Sequence, residues 1–303
     1  TIWLLGGKTV GMIRIESLEE YINIVLKEFS KRKLNSLYEK PRVFFRGHNR
    51  DDYELLPSLA RRITDKDELT FVRFEKEMIQ DARLHNPDEF NKGRYPFSLL
   101  ARMQHFGLPT RLLDITENAL VALYFSCKGM YEHDGKIFCF QKEQKEVHSA
   151  YSLHVNLIAS IAEKEAYTHT PIQDFWDEIK YDDYIPKKYL EKPFEEIEGK
   201  IIDSISTPLL VLPEMSTERQ KRQQAAFIIY PNKIKNRGIE GNAINTSDLV
   251  AEKEIVVNNA RKRKILGQLR LLGISEPFLF PETDKACSAI REHTVDLMDE
   301  RLY

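Results

Sequence analysis

The sequence predicts an α+β fold: a single domain in which a mixed or antiparallel sheet is surrounded by helices. Three observations lead there. Apolar residues recur at helical spacing near both ends of the chain. Short β-branched and aromatic runs, such as RVFF, KIFCF and AAFIIYP, lie between those helices. No repeat or low-complexity linker divides the chain. Its 303 residues are 42 % hydrophobic and 30 % charged, which suffices for a sizeable core and argues against disorder.

The elements follow in order. Ser17 and Glu20 have the spacing of a capping box, and Leu18, Tyr21, Ile22, Val25, Leu26 and Phe29 then line one helical face. The basic KRK at 31–33 suits the end of that helix. The strand RVFF follows and runs abruptly into Arg46, Gly47 and His48. A second helix is expected over about 65–85, opened by Thr64 with Asp67 and ended before Asn86-Pro87. A third, FSLLARMQHF, stops at Gly107, with Pro109 just beyond. After PTRLLDIT, the stretch NALVALYFSC is apolar nearly all round and reads as a buried helix capped by Thr116 or Asp114.

Asp134-Gly135 signals a turn into the strand KIFCF. Residues 149–200 read as a charge-rich insert of helices and loops. LLVL (209–212), AAFIIYP (225–231) and KEIVV (253–257) read as successive strands. The helix RKRKILGQLRLLG is stopped by Gly273, and EPFLFPETDKACSAIREH returns to helix. The expected layout is a helical lead-in over 1–40, a main domain over 41–285 with a variable insert at about 149–200, and a helical tail over 286–303.

Composition removes several classes of function. A net charge of −2 gives no global attraction to nucleic acid or anionic membrane, so such binding needs a local patch. The one dense basic run, Arg261-Lys262-Arg263-Lys264, reads either as a solvated helix face or as a phosphate or nucleic-acid contact. Cys127, Cys139 and Cys287 are few and far apart, without a CxxC pair, so neither a disulfide framework nor a zinc site is indicated. The carboxylates are too scattered to nominate a metal site. With no membrane-length apolar run and no leader pattern, a soluble cytoplasmic protein is expected. GGKT at 6–9 lacks the earlier glycine of a phosphate loop, and no GxSxG elbow accompanies Thr110 or Ser126.

The candidate site residues each carry a structural alternative. Arg46 offers a rigid fork suited to phosphate or carboxylate, or to an internal salt bridge; Gly47 beside it leaves room for a ligand against the backbone. Gln104 and His105 precede a helix end, where His105 is a capping cation or a donor to an anion. Arg111 and Asp114 read as a clasp across a turn, with Arg111 as a second phosphate cation in the sharper reading. Tyr124 reads as core or as a stacking surface, and Cys127 as core. Arg222, Gln223 and Gln224 enter the strand AAFII; if extended, their amides point to opposite faces.

Five ordered blocks carry a resemblance: FFRGH, LLPSLAR, LLARMQHFGLPTRLLDITENALVALYFS, RQQAAFIIYP and LRLLGISEPFLFPE. Together they resemble the FRG domain, named for its Phe-Arg-Gly signature and found largely in bacterial and phage-associated proteins. The order of motifs is also similar to that of ADP-ribosyltransferases, which implies a split sheet and NAD as the ligand. On that resemblance Arg46 would hold the phosphates and ribose, Tyr124 and Ser126 would shape the nicotinamide pocket, and Gln223 or Gln224 would meet the ribose hydroxyl. Apart from that resemblance, His48, Gln104, His105, Thr110, Arg111 and Asp114 are further candidate ligand contacts read from the residues themselves.

The resemblance implies ADP-ribosyl transfer or NAD cleavage by a toxin or phage-defence effector. It departs from the pattern at RQQ, because an amide cannot replace a catalytic glutamate as base. The second reading is therefore a recognition module without chemistry, for a protein or nucleic-acid partner.

Overall fold

The computed structural model describes residues 4–5, 8–9, 12–29, 41–61, 70–164, 169–247, 249 and 251–282. It is α+β as expected. β1 (Leu4–Leu5) and β2 (Lys8–Thr9) form a small antiparallel pair, followed by β3 (Met12–Ile15), α1 (Leu18–Phe29) and β4 (Arg42–His48). Three helices come next: α2 (Glu75–His85), α3 (Pro87–Phe90) and α4 (Pro96–His105). β5 (Leu112–Thr116), α5 (Ala119–Cys127), β6 (Gly135–Lys142) and β7 (Val147–Ser149) lead into α6 (Leu153–Lys164). Beyond it lie β8 (His169–Pro171), α7 (Ile172–Ile179), α8 (Lys187–Leu190), α9 (Phe194–Ser204), β9 (Leu209–Leu212), α10 (Glu218–Gln223) and β10 (Ala225–Ile229). The last elements are β11 (Asn232–Lys235), β12 (Gly238–Ile244), β13 (Lys253–Val257), α11 (Lys262–Leu271) and α12 (Glu276–Leu279).

Eight strands make one mixed sheet in the order β3-β13-β6-β4-β5-β10-β9-β7, parallel only at its two outermost pairs. β11, β12 and β8 form a second, antiparallel sheet. β4 pairs with β6 over seven residues but meets β5 at a single bridge, Phe45 opposite Thr116. Beyond that bridge the two central strands are no longer laddered together.

Side chains alternate across the sheet. Phe45 joins Val121, Leu123, Ile255 and Ile265 beneath α1, α5 and α11, whereas Phe44 joins Leu113, Ile115, Phe138 and Tyr230 in another cluster. A third cluster gathers α2, α4, α6, α7 and α9 around Phe227 and Ile229 of β10.

Local chemistry explains most of the elements. α1 starts with the Glu20 amide donating to Ser17 Oγ at 3.2 Å. α4 opens on Pro96, whose missing N–H is harmless there, and closes at Gly107, whose φ of 89° suits a residue without Cβ. The helical signal of 65–85 resolves into a 3-10 turn over Phe71–Phe74 and then α2; Thr64 and Asp67 lie outside the described residues. So do KRK at 31–33, Cys287 and the tail beyond 282.

Two expectations are corrected. The cap of α5 is Asn118, whose side chain accepts from the Leu120 and Val121 amides, while Thr116 holds the Asn118 amide one step back. Residues 112–116 are not a helix lead-in but a central strand. The charge-rich insert carries helices, as expected, and eight consecutive residues of α6, Val155–Ala162, are buried.

Candidate functional site

The site grows from the divergence of β4 and β5. Arg46 is the first residue past their one bridge, and its backbone still pairs with Phe138 of β6. Arg46 Nη1 donates to the Asp114 carbonyl at 2.8 Å, and the Asp114 carboxylate lies 3.8 Å away. The Arg46 side chain is 21 % exposed and that of Asp114 62 %. Arg46 Nε is buried and has no hydrogen-bond partner. Burial lowers the Arg46 pKa, partly offset by Asp114.

His48 follows two residues later, on the same side of the strand. It is 5 % exposed and sits edge-on to Phe138 and Tyr53, with ring centroids 5.3 and 6.2 Å apart. Nδ1–H donates to the Tyr53 carbonyl at 3.3 Å, which leaves Nε2 a bare acceptor, buried and without a partner. Burial, with the Arg46 charge adding to it, pushes the imidazole pKa down to about 3. The ring is neutral at physiological pH. Tyr230 stands close enough for its hydroxyl to feel the Arg46 charge, and that hydroxyl donates to the Leu55 carbonyl at 2.9 Å. The arrangement is a partly exposed cation, a loosely held carboxylate and a neutral acceptor. The exposed part of the guanidinium can meet an anionic group, and His48 Nε2 is a buried acceptor without a partner.

The structure thus brings Arg46, His48 and Asp114 together. It treats the other candidates differently. A Cβ on Gly47 would lie 1.9 Å from the Ala122 carbonyl oxygen and 2.9 Å from the Ser126 amide. Gly47 therefore admits the backbone of α5, not a ligand. Gly135 does the same from β6, where a Cβ would meet the Ser126 carbonyl oxygen at 2.2 Å.

Arg111 does not clasp Asp114. It is 1 % exposed, pairs through both arms with the carboxylate of Glu75 (Nε to Oε1 3.0 Å) and donates to Asn232 Oδ1 at 2.9 Å. A guanidinium so enclosed is internal to the fold. Thr110 is fully buried; its hydroxyl donates to Gln104 Oε1 and accepts from the Leu112 amide at 3.2 Å. His105 packs edge-on against Phe106. Ser126 Oγ donates to the Leu123 carbonyl at 2.8 Å, within its own helix. Tyr124 is buried in the cluster that α5 shares with α11, and burial pushes the Cys127 thiol up to about 12.

RQQ is not extended. Arg222 and Gln223 close α10, and Gln224 is its left-handed cap at φ 45°. The Gln223 carboxamide donates to the Leu279 carbonyl at 3.0 Å, and Arg222 reaches the Phe278 carbonyl at 3.2 Å. These side chains tie α10 to α12 and are not turned to Arg46. The basic run also separates. Lys262 is buried, donating to the Asn49 and Met130 carbonyls at 2.7 and 3.0 Å; Arg261 pairs with Glu16, and Arg263 stacks over Tyr131. Lys264, like Arg261 and Arg263, is exposed.

Sequence reading missed Tyr53 and Tyr230. Both are aromatic residues at the end of a loop or strand, and nothing in the sequence ties either to Arg46. Among the described residues no cluster of three His, Cys, Asp or Glu side chains is placed to hold a metal, and no helix is long and apolar enough to cross a membrane.

Residues 41–135 match the FRG domain. The match spans β4 to the first residue of β6 and so contains Arg46, His48, Asp114 and α5; the RQQ segment and α11 lie outside it. No curated protein and no solved structure matches the chain.

Proposed function

We propose that this FRG-domain chain binds an anionic, nucleotide-like ligand at the split between β4 and β5, with Arg46 holding a phosphate or carboxylate. One observation carries the reading. Arg42, Arg50, Arg111 and Arg237 are each neutralised by a carboxylate that takes two of their donors: Glu117, Asp52, Glu75 and Glu198. Arg46 is held by a carbonyl and faces its carboxylate only at 3.8 Å. A guanidinium fixed in place but incompletely paired suits an incoming anion. The bare Nε2 of His48 favours a ligand that also carries a hydroxyl, as a sugar phosphate does.

NAD is the first ligand to test, because the order of motifs in the sequence resembles that of ADP-ribosyltransferases. On that reading Asp114, not Gln223, is the carboxylate able to stabilise positive charge on the ribose as nicotinamide leaves. The chain is then an effector of the toxin or phage-defence kind. A second reading, recognition without chemistry, is favoured by the Gln223 amide being bonded to Leu279. Titration with NAD, followed by assay of label transfer and nicotinamide release, separates the two. Binding with turnover that Asp114→Asn abolishes supports chemistry. Binding without turnover supports recognition, and no binding of NAD or ADP-ribose overturns the nucleotide assignment.

A further inference from the structure

A cavity of about 390 Å³ opens at the far edge of the main sheet, and no part of the Arg46 site lines it. The volume lies within the roughly 300–1,000 Å³ of small-molecule sites. Three local patterns build it. β7 places His148 on the edge strand, and α6 begins five residues later with His154 in its first turn. The two imidazoles meet edge-on, with centroids 5.5 Å apart. The last turns of α9 add Lys200, Asp203 and Ser204, whose spacing sets them on one helical face. α7 contributes Trp176, which is buried and tilted against Tyr189 of α8 with centroids 6.5 Å apart.

The chemistry of this lining is uneven. Its inner wall is apolar and aromatic, with Leu157 and Ile201 beside Trp176. Its polar rim carries three basic side chains, His148, His154 and Lys200, against one carboxylate, Asp203. Among the described residues, neither imidazole hydrogen-bonds to a protein group, and the Lys200 ammonium has no ion-pair partner. His148 is held below its ordinary pKa by burial and then by the neighbouring His154. An anion seated between them would counter that shift.

We infer that this cavity is a second ligand site, which takes a small organic anion with a flat aromatic body: the ring against Trp176 and Tyr189, the carboxylate, sulfonate or phosphate against His148, His154 and Lys200. The site is independent of Arg46, so either proposal stands or falls alone.

The two tryptophans of the chain are Trp3 and Trp176, so Trp3→Phe leaves Trp176 as the sole indole donor for energy transfer. The probe is 1-anilinonaphthalene-8-sulfonate, compared with N-phenyl-1-naphthylamine, which has the same rings and no charge. The expected result is saturable transfer from Trp176 to the sulfonate, with the neutral amine about tenfold weaker. The double variant His148→Gln/His154→Gln, and separately Lys200→Met, should each weaken the sulfonate while leaving the amine unchanged. Unlabelled benzoate or phenyl phosphate should displace the probe. Equal affinity for the two probes, an unaffected affinity in both variants, or failure of both competitors to displace the sulfonate would overturn the assignment. The Lys200→Met arm, on an exposed side chain, guards against loss of folding in the histidine pair.

Discussion

His48 and Arg111 illustrate what burial does to a charged or chargeable group. His48 is kept neutral in the fold, with a pKa near 3 against about 6.5 in an unfolded chain. The unfolded state therefore binds the extra proton first, and stability falls as pH drops below about 6.5 towards 3. The slope approaches 1.4 kcal/mol per pH unit for this one group. Urea unfolding at pH 7 and pH 5 should show a smaller acid loss in His48→Gln than in the parent chain; an unchanged loss would mean that His48 is not the group responsible.

Arg111 makes the opposite case, a charge kept buried by its partner. Removing one member of a buried pair costs about 3–5 kcal/mol, because the other is left uncompensated. Arg111→Met should therefore be strongly destabilising, and Arg111→Met with Glu75→Met should recover most of the loss in the same unfolding assay. If the double variant is as unstable as the sum of the singles, the pairing is not what the guanidinium supplies.

The contact of α5 with the central sheet is the feature of the element scale that fixes the site. The helix lies so close to β4 and β6 that both strands present glycine, Gly47 and Gly135, beneath it. Gly47→Ala would drive a methyl group into the Ala122 carbonyl, so a loss of about 2 kcal/mol or more is expected in thermal or urea unfolding. A neutral substitution would contradict the close approach.

This element also marks what was legible in the sequence. NALVALYFSC announced a buried helix through its unbroken apolar run, and Gly107 announced the end of α4 through its backbone freedom. The strand LLDIT passed unnoticed because five residues leading directly into a helix carry no turn signal. Gly47 reads as room for a ligand because nothing in the sequence signals that a helix lies on it. The helical character of 149–200 is legible, but the burial of α6 is not, because charged residues beyond it mask a run that tertiary packing covers.

The tertiary arrangement accounts for which candidate residues come together and which do not. Arg46, His48 and Asp114 converge because β4 and β5 share one bridge and then part. Arg111 is only three residues from Asp114, yet it passes into the helical layer and meets Glu75. Gln223 is drawn away by the C-terminal segment, where it holds Leu279. Residue type and spacing made all of these look equivalent; the ion-pair partners, 36 residues away for Arg111 and 68 for Arg46, separate them.

The most direct test of the Arg46 site is a thermal-shift titration with NAD, ADP-ribose and inorganic pyrophosphate, in the parent chain and in Arg46→Gln. A ligand that binds only the native state stabilises it by about 2.7 kcal/mol at a hundred times its dissociation constant, so the melting temperature must rise. The proposal predicts a concentration-dependent rise in the parent chain, with the titration in Arg46→Gln displaced to concentrations about tenfold higher or more. No shift with any of the three ligands, or the same titration curve in both chains, would contradict it.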